Sequence, residues 1–526
     1  ATTAEASAPS TADYTVDREI QLDFSPPVDI STERPQVLAL DGLSPGRDYA
    51  VTFHFAQEET VRFRTSNDQR AKTDQLSQPP TRVLVVSCDR FVDDGDDALW
   101  DAIARDLDAH EDSYFGVAHI GDQVYVDAGD ARIPVRPVSE ELMGDREKLR
   151  ARYELIVQQF RAIYRATLGR PAAQRVLRRG AHWMLPDDHE IINNLNSYSV
   201  DRVFDRGGSV LGEAERRGLQ LHYRAGLQAM YEYQYQLQRD VAWEKVDFFE
   251  DPLKDVLASH PLYFSVEIDR LKLFFLDVRF DRSFTLSSPD GRQLLISPTQ
   301  RDALERQLQS WTSEPSQDPS IVVLSSMPLF FHSGFTANIV YAVEKELYPG
   351  HPEHARGLEE LFGTFQAFLQ PPSPALKLLV GGDVHTLAHT QVCGSSGKTV
   401  CIDQLITSGL TNGSTAIHDV KLVPFYLLIL RLYPVHDWLM SSIGMPPAPW
   451  TLKTDRTFLG RNYGVLEVDA QGDFEWRNSV VLDHQHLGGR LTQAAFDLVL
   501  PLLVSAVLLL ILRLLLRAPR QKTKTE

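Results

Sequence analysis

Five short apolar runs in this chain each end in a side chain that can bind a metal ion. RVLVVS leads into Cys88, GVAHIG into Asp122, HWML into Pro186-Asp187-Asp188-His189-Glu190, KLFFL into Asp277, and KLLVGG into Asp383 with His385 close behind. Spacing inside the loops strengthens the pattern. In GDQVY the glycine permits a tight turn, so that Asp122 and Tyr125 can face one ion. In GGDVH, Asp383 and His385 stand two apart and point the same way along an extended segment. A thiolate, a phenolate, an imidazole and a carboxylate together suit a redox-capable or Lewis-acidic ion such as iron. A neighbouring group of carboxylates and amides suits calcium, magnesium or manganese. Two ions about 3.5 to 4 Å apart bind an attacking hydroxide and phosphoryl oxygens together, which is the chemistry of phosphate-ester hydrolysis.

Such residues must be positioned by a sheet, because loops at the carboxyl ends of neighbouring strands converge on one crevice. Beyond Thr81 short apolar runs alternate with longer helical patterns such as ALWDAIARDLDAH and LRARYELIVQQFRAIYRATL, which predicts an α/β or layered α+β body. Taken singly, the residues have plainer readings: Cys88 and Tyr125 as core, Asp122 as a turn residue, His189 as a surface partner of acids, Arg279 as an ion-pair partner of Asp277 or Asp281. Their joint occurrence at strand ends carries the metal-site reading. His119, His332 and His389 are weaker candidates for places beside the ligands.

The segments SCDRF, HIGDQVYVD, PDDHEIINN, LDVRFDRS and LLVGGDVHT, preceded by a fibronectin-like stretch, resemble the PhoD-like alkaline phosphatases and phosphodiesterases of the calcineurin-like metallophosphatase superfamily. The resemblance runs from about Tyr14 to Asp469. It implies a four-layer αββα metallophosphatase sandwich and a phosphomonoester or phosphodiester hydrolase. By the same resemblance Cys88, Tyr125 and His385 hold a ferric ion (Fe3+), Asp122 bridges to a second site, and Asp188 and Asp383 hold calcium (Ca2+) there; Mg2+, Mn2+ or Zn2+ are alternatives for the second ion. His189 stands where the superfamily's imidazole faces the leaving oxygen. Asn193 and Asn194 are expected as supports or further ligands, and Asp187 as an alternative ligand to Asp188. Arg279 is the candidate for clamping a phosphoryl oxygen, a task suited to a planar donor fork. One departure is Pro186, where the family usually has Trp.

Around the expected catalytic domain, residues 81–490, the chain divides by composition. Residues 1–13 read as a flexible N-terminus and 14–66 as a small fibronectin-like β-sandwich, with strand-turn-strand patterning in LDGLSPGRDYAVTFHF. Residues 67–80 read as a polar linker. Leu498 to Leu516 is apolar on every side apart from Arg513 and is long enough to span a bilayer, which predicts a transmembrane helix over 497–517. Arg517, Arg520, Lys522 and Lys524 then make 518–526 a cytoplasmic basic tail, leaving the catalytic domain periplasmic or otherwise extracytoplasmic. The start at Ala1 fits a mature exported chain. Val420 to Pro434 reads as a buried helix or an interfacial segment.

Cys393 and Cys401 flank a Gly-Ser-Ser-Gly turn, a spacing that suits a hairpin closed by a disulfide. The net charge of −18 disfavours nucleic-acid binding, which needs a basic surface. The expected partners are a phosphate-ester substrate, lipid or envelope material among the possibilities, and the membrane. Two rival readings stand beside the hydrolase: an inactive phosphatase-like subunit of a membrane complex, and a phospholipase or envelope phosphodiesterase.

Overall fold

The structure is a computed structural model, which describes residues 2–6, 18–22, 35, 40, 43–44, 47–54, 58–65, 80–91, 97–110, 113–129, 132–196, 211–238, 245–284, 294–313, 319–369, 374–394, 400–410, 448–458, 461–469 and 471–480. Near the N-terminus β1 (Thr2–Ala6) pairs antiparallel with β2 (Arg18–Leu22), so part of the stretch expected to be a flexible terminus is a strand. β3 (Asp48–His54) and β4 (Glu58–Arg64) form a hairpin in which Tyr49 and Phe63 are register partners with rings stacked 5.7 Å apart. Apart from residues 35, 40, 43–44, 47 and 65, the rest of the expected sandwich lies outside the described residues, as do residues 67–79 of the linker.

The body is built on two mixed sheets. In the five-stranded one, β5 (Thr81–Val86), β6 (Tyr114–Ile120) and β7 (Ala181–Leu185) run parallel, and the hairpin of β15 (Asn462–Val468) and β16 (Phe474–Val480) adds to the edge at β5. The seven-stranded sheet has β9 (Leu271–Leu276), β10 (Ser320–Ser325), β11 (Leu376–Gly381) and β13 (Cys401–Thr407) running parallel. β8 (Phe264–Ile268) flanks them on one side, β12 (Leu387–Gly394) and β14 (Trp450–Phe458) on the other, all antiparallel to their neighbours.

Strand alternation sorts the core into layers, since successive side chains face opposite sides. Val83, Val85, Ala118, Ile120 and Leu185 share one cluster with Leu273, Phe275, Val322, Leu324 and Val380, which joins the two sheets face to face. Leu84, Val86 and Val117 face the other way, onto the helices Ala98–Ala109 and Pro171–Leu177. Phe274, Leu276, Ile321, Val323 and Leu379 cover the outer side of the second sheet against the helices Pro298–Thr312 and Ala355–Ala367. A further core joins the long helices Arg146–Leu168 and Glu213–Tyr233 to Val124, Ile191, Leu195 and Phe280, next to the loops after β6, β7 and β9. Within it Arg161 donates to both carboxylate oxygens of Glu232 at 2.7 and 2.6 Å, a buried bidentate pair that fixes how these two helices meet.

The single-pass expectation is corrected here. Among the described residues no helix is long and apolar enough to cross a membrane. The helix Arg146–Leu168, 23 residues long, is amphipathic: Leu149, Tyr153, Val157 and Phe160 are buried while Arg, Lys and Glu occupy much of the rest. The run 497–517, the tail 518–526 and the segment Val420 to Pro434 lie outside the described residues. The extracytoplasmic placement and cytoplasmic C-terminus that hung on that helix are therefore not retained.

Candidate metal centre

The strands end in backbone that L-residues seldom adopt. Cys88, Asp122, Asp383 and His385 all have positive φ, at 61°, 56°, 67° and 49°. Each such residue costs on the order of 1 to 3 kcal/mol, and such strain concentrates at functional sites. The adjacent glycines explain how the loops meet. A β-carbon on Gly121, itself at φ 102°, would lie 2.7 Å from the β-carbon of Asp187, and one on Gly382 would lie 2.7 Å from the carbonyl oxygens of Ile120 and Ser326. Backbone bonds then lock the loops together: the Cys88 N–H donates to the Gly121 carbonyl at 3.1 Å, and the Asp89 N–H to that of Asp122 at 2.8 Å.

Three groups of ligand-type atoms result, each with all members within 4.8 Å of one another: Cys88, Asp122 and His385; Asp122, Asp188 and His189; and Asp122, Asp187, Asp188 and Asp383. Asp122, fully buried, is the member common to all three. Its Oδ2 lies 3.4 Å from Cys88 Sγ and accepts from the Tyr125 hydroxyl at 3.0 Å, and that hydroxyl is also 2.9 Å from His385 Nε2.

Electrostatically the acids of the cluster outnumber the positive charges beside them, Arg279 and His189. Burial, then the nearby Cys88, pushes Asp122 well above the usual carboxylate range, and burial with Asp187 does the same to Asp383. Burial pushes the Cys88 thiol up to about 11. Asp188 is held below its ordinary value because Arg279 and His189 outweigh its burial. Asp187 Oδ2, Asp188 Oδ1 and Asp383 Oδ2 are buried and accept no hydrogen bond, although Asp188 Oδ1 has Arg279 Nη2 at 3.7 Å. Buried carboxylates need compensation by bonds, partners or metal ions. Cations fit this donor set on both counts: they neutralise the crowded acids and occupy the unused lone pairs.

The sequence-predicted ligands Cys88, Asp122, Tyr125, Asp188, Asp383 and His385 are thus brought together, with Asp187 beside them. Asp187 is partly committed elsewhere, since its Oδ1 accepts from the Ser326 hydroxyl at 3.0 Å and from Arg279 Nε. Asn193 and Asn194 act here through their backbones: the Asn193 N–H donates to Asp127 Oδ2 and the Asn194 N–H to Asp188 Oδ2. His189 lies with its ring stacked on that of Tyr125 at 4.1 Å and its Nδ1 2.7 Å from Asp127 Oδ1. Against the effect of burial, Asp188, Asp127 and Asp122 raise it to about 10.

Arg279 departs from its expected role as a phosphoryl clamp. It is fully buried: Nε donates to Asp187, Nη1 donates to Glu346 Oε1 at 2.9 Å and to the Leu195 carbonyl at 3.1 Å, and Nη2 lies 3.7 Å from Asp188 Oδ1. Asp277 is not a ligand either: it accepts the backbone N–H groups of Arg279, Phe280 and Asp281 at 2.8 to 3.0 Å and so builds the turn that carries Arg279. His119 pairs with His182 at 3.1 Å, His332 packs on Tyr348, and His389 sits between Asp403 and Asp455; none is in the ligand groups. Sequence reasoning missed Asp127, Glu346, Ser408 and Glu190, whose carboxylate accepts the backbone N–H groups of Gln123 and Asp187 at 2.7 and 2.9 Å. Asp127 and Glu190 lie within the quoted motifs; Glu346 and Ser408 carried no signal. Cys393 and Cys401 are register partners across β12 and β13 and form the disulfide.

Two helix-flanked sheets that gather thiol, phenol, imidazole and carboxylates at their strand ends define the class of metal-dependent hydrolases. The sequence model of the PhoD-like phosphatases matches residues 83–416, more than half of the chain, and the chain belongs to that family. It is a phosphoric ester hydrolase of mixed α/β fold. Among solved structures it is similar to PhoD, with 13% identity and a TM-score of 0.49 over 85% of this chain and 80% of that one. It is also similar to the purple acid phosphatase PPD1 from yellow lupin (Lupinus luteus) seeds, with 11% identity and a TM-score of 0.38 over 83% and 60%. GAP50, the anchor in the inner membrane complex of Plasmodium, matches with 8% identity and a TM-score of 0.29 over 80% and 95%. No curated protein matches the chain by sequence.

Proposed function

We propose that the chain hydrolyses phosphate mono- and diesters at a two-ion centre, with a ferric ion held by Cys88, Tyr125 and His385, calcium held by Asp188 and Asp383, and Asp122 shared between them. The observation that carries this reading is the membership of Asp122 in every ligand group. When bound, the cations would supply Lewis acidity toward phosphoryl oxygens and a lowered pKa for water. The chain's own residues do the rest. Asp122 fixes the spacing of the two halves. The softer donors, thiol and imidazole, gather on one side and the carboxylates on the other, which supports unlike ions in the two positions. Asp127 holds His189 through Nδ1, which leaves Nε2 to donate to the oxygen of the departing alcohol. Arg279 keeps the acidic loop in place from beneath.

The test is hydrolysis of bis(p-nitrophenyl) phosphate by the full chain supplied with iron and calcium, beside its Asp122→Asn variant. Loss of a ligand's supporting partner costs about 10- to 100-fold in metal affinity or activity, so loss of a shared ligand is expected to exceed about 100-fold. Parental activity in a folded Asp122→Asn protein would refute the shared-ligand arrangement.

A further inference from the structure

Ser408 follows β13 immediately after Thr407 and is fully buried. Its Oγ lies 3.0 Å from Cys88 Sγ and 2.9 Å from the backbone nitrogen of His385, which donates to it. A hydroxyl has one hydrogen and two lone pairs. The His385 N–H occupies one acceptor position, and a Cys88 bound to an ion as thiolate carries no hydrogen to donate, so in the loaded centre the Ser408 hydroxyl is the donor in that contact. The Ser87 hydroxyl is a poorer donor to the same sulfur: it lies 3.5 Å away and has the Thr407 carbonyl as a nearer acceptor at 3.2 Å. Ser408 is itself held in place. Asn462 Nδ2 donates to the Ser408 carbonyl at 2.6 Å, while Asn462 Oδ1 accepts from the Thr407 hydroxyl at 2.9 Å.

We propose that Ser408 is a positioning residue for the Cys88 half of the centre, its hydroxyl donating to the Cys88 sulfur while accepting from the His385 backbone. One side chain then sets the spacing of two ligands and moderates the electron donation of the sulfur to its ion. The inference rests on the two-ion reading above. Loss of a partner that orients a ligand costs about 10- to 100-fold in metal affinity or activity. A hydrogen bond to a bound sulfur withdraws electron density, so its loss lowers the energy of sulfur-to-metal charge transfer.

The experiment loads the purified full chain with cobalt(II) as the probe ion and records the sulfur-to-cobalt charge-transfer band and the cobalt affinity for the parent, Ser408→Ala and Ser408→Thr. Ser408→Ala is expected to move the band to longer wavelength and to weaken cobalt binding about 10-fold. Ser408→Thr, which keeps the hydroxyl, is expected to restore the parental band. Circular dichroism identifies a folding defect, in which case Ser408→Gly removes the same hydroxyl. A parental band that is unchanged in a folded variant lacking the hydroxyl would overturn the proposal for Ser408. The absence of any such band in the parent would instead overturn Cys88 as a ligand, and with it the underlying two-ion reading.

Discussion

A guanidinium enclosed by carboxylates, as Arg279 is by Asp187, Asp188 and Glu346, is the chain's own counter-charge for an acidic pocket. Removing one partner of a buried ion pair leaves charge without compensation and costs about 3 to 5 kcal/mol. Arg279→Met is therefore expected to lose stability of that order in urea unfolding, and a loss within about 0.5 kcal/mol, the usual effect of a surface change, would show the network to be dispensable. The type of this residue was readable in the sequence but its depth was not. LDVR reads equally well as a strand end presenting an arginine to substrate. Only the arrival of Glu346 from a distant loop, carrying no motif of its own, shows that the fork faces inward. The ligands were legible for the opposite reason: each loop that carries them directly follows an apolar run, so local pattern and position in space coincide. Asp127 lies between these cases, inside a legible motif yet defined by a partner, His189, 62 residues away.

Strand ends place the ligands, and the strands that follow hold the far side of the sheet together. On β12, His389 Nδ1 lies 2.6 Å from Asp455 of β14, and its Nε2 lies 3.3 Å from Asp403 of β13, so one imidazole joins three strands. Burial opposes its charge, but Asp403 and Asp455 raise its pKa above the ordinary 6.5. With the folded value raised, its contribution to stability is fully present below pH about 6.5 and is lost as pH climbs through the folded value. The Tm difference between parent and His389→Gln is expected to be largest in mildly acidic solution and to vanish in alkaline solution. A difference that grows with pH would contradict this sign. The hairpin bearing Cys393 and Cys401 was legible because its turn residues sit between two alternating runs. β1 was not, because ATTAEASAPS has the composition of a frayed end and the strand depends on β2 for its pairing.

Two sheets with helices on their outer sides leave one set of strand ends at which ligands from four different loops meet. The alternation of short apolar runs with helical patterns made that architecture readable, because parallel strands need helical crossovers. The joining of the sheets through Val83, Val85, Phe275 and Leu324 was not readable, since it depends on which face of each strand finds a partner. The single membrane span read from the apolar run over 497–517 is not retained at this scale: no described helix is long and apolar enough to cross a membrane. The net charge of −18 still has a consequence for the site, because an acidic protein with clustered buried carboxylates admits an anionic ester only once cations offset them. The most direct measurement is the metal content per chain, by plasma mass spectrometry, of the parent and of Asp122→Asn after equilibration with iron and calcium. Two ions per chain in the parent, iron with calcium, and loss of both in the variant are the predicted result. A parent that binds one ion or none, or a variant that keeps the full complement, would contradict the shared centre.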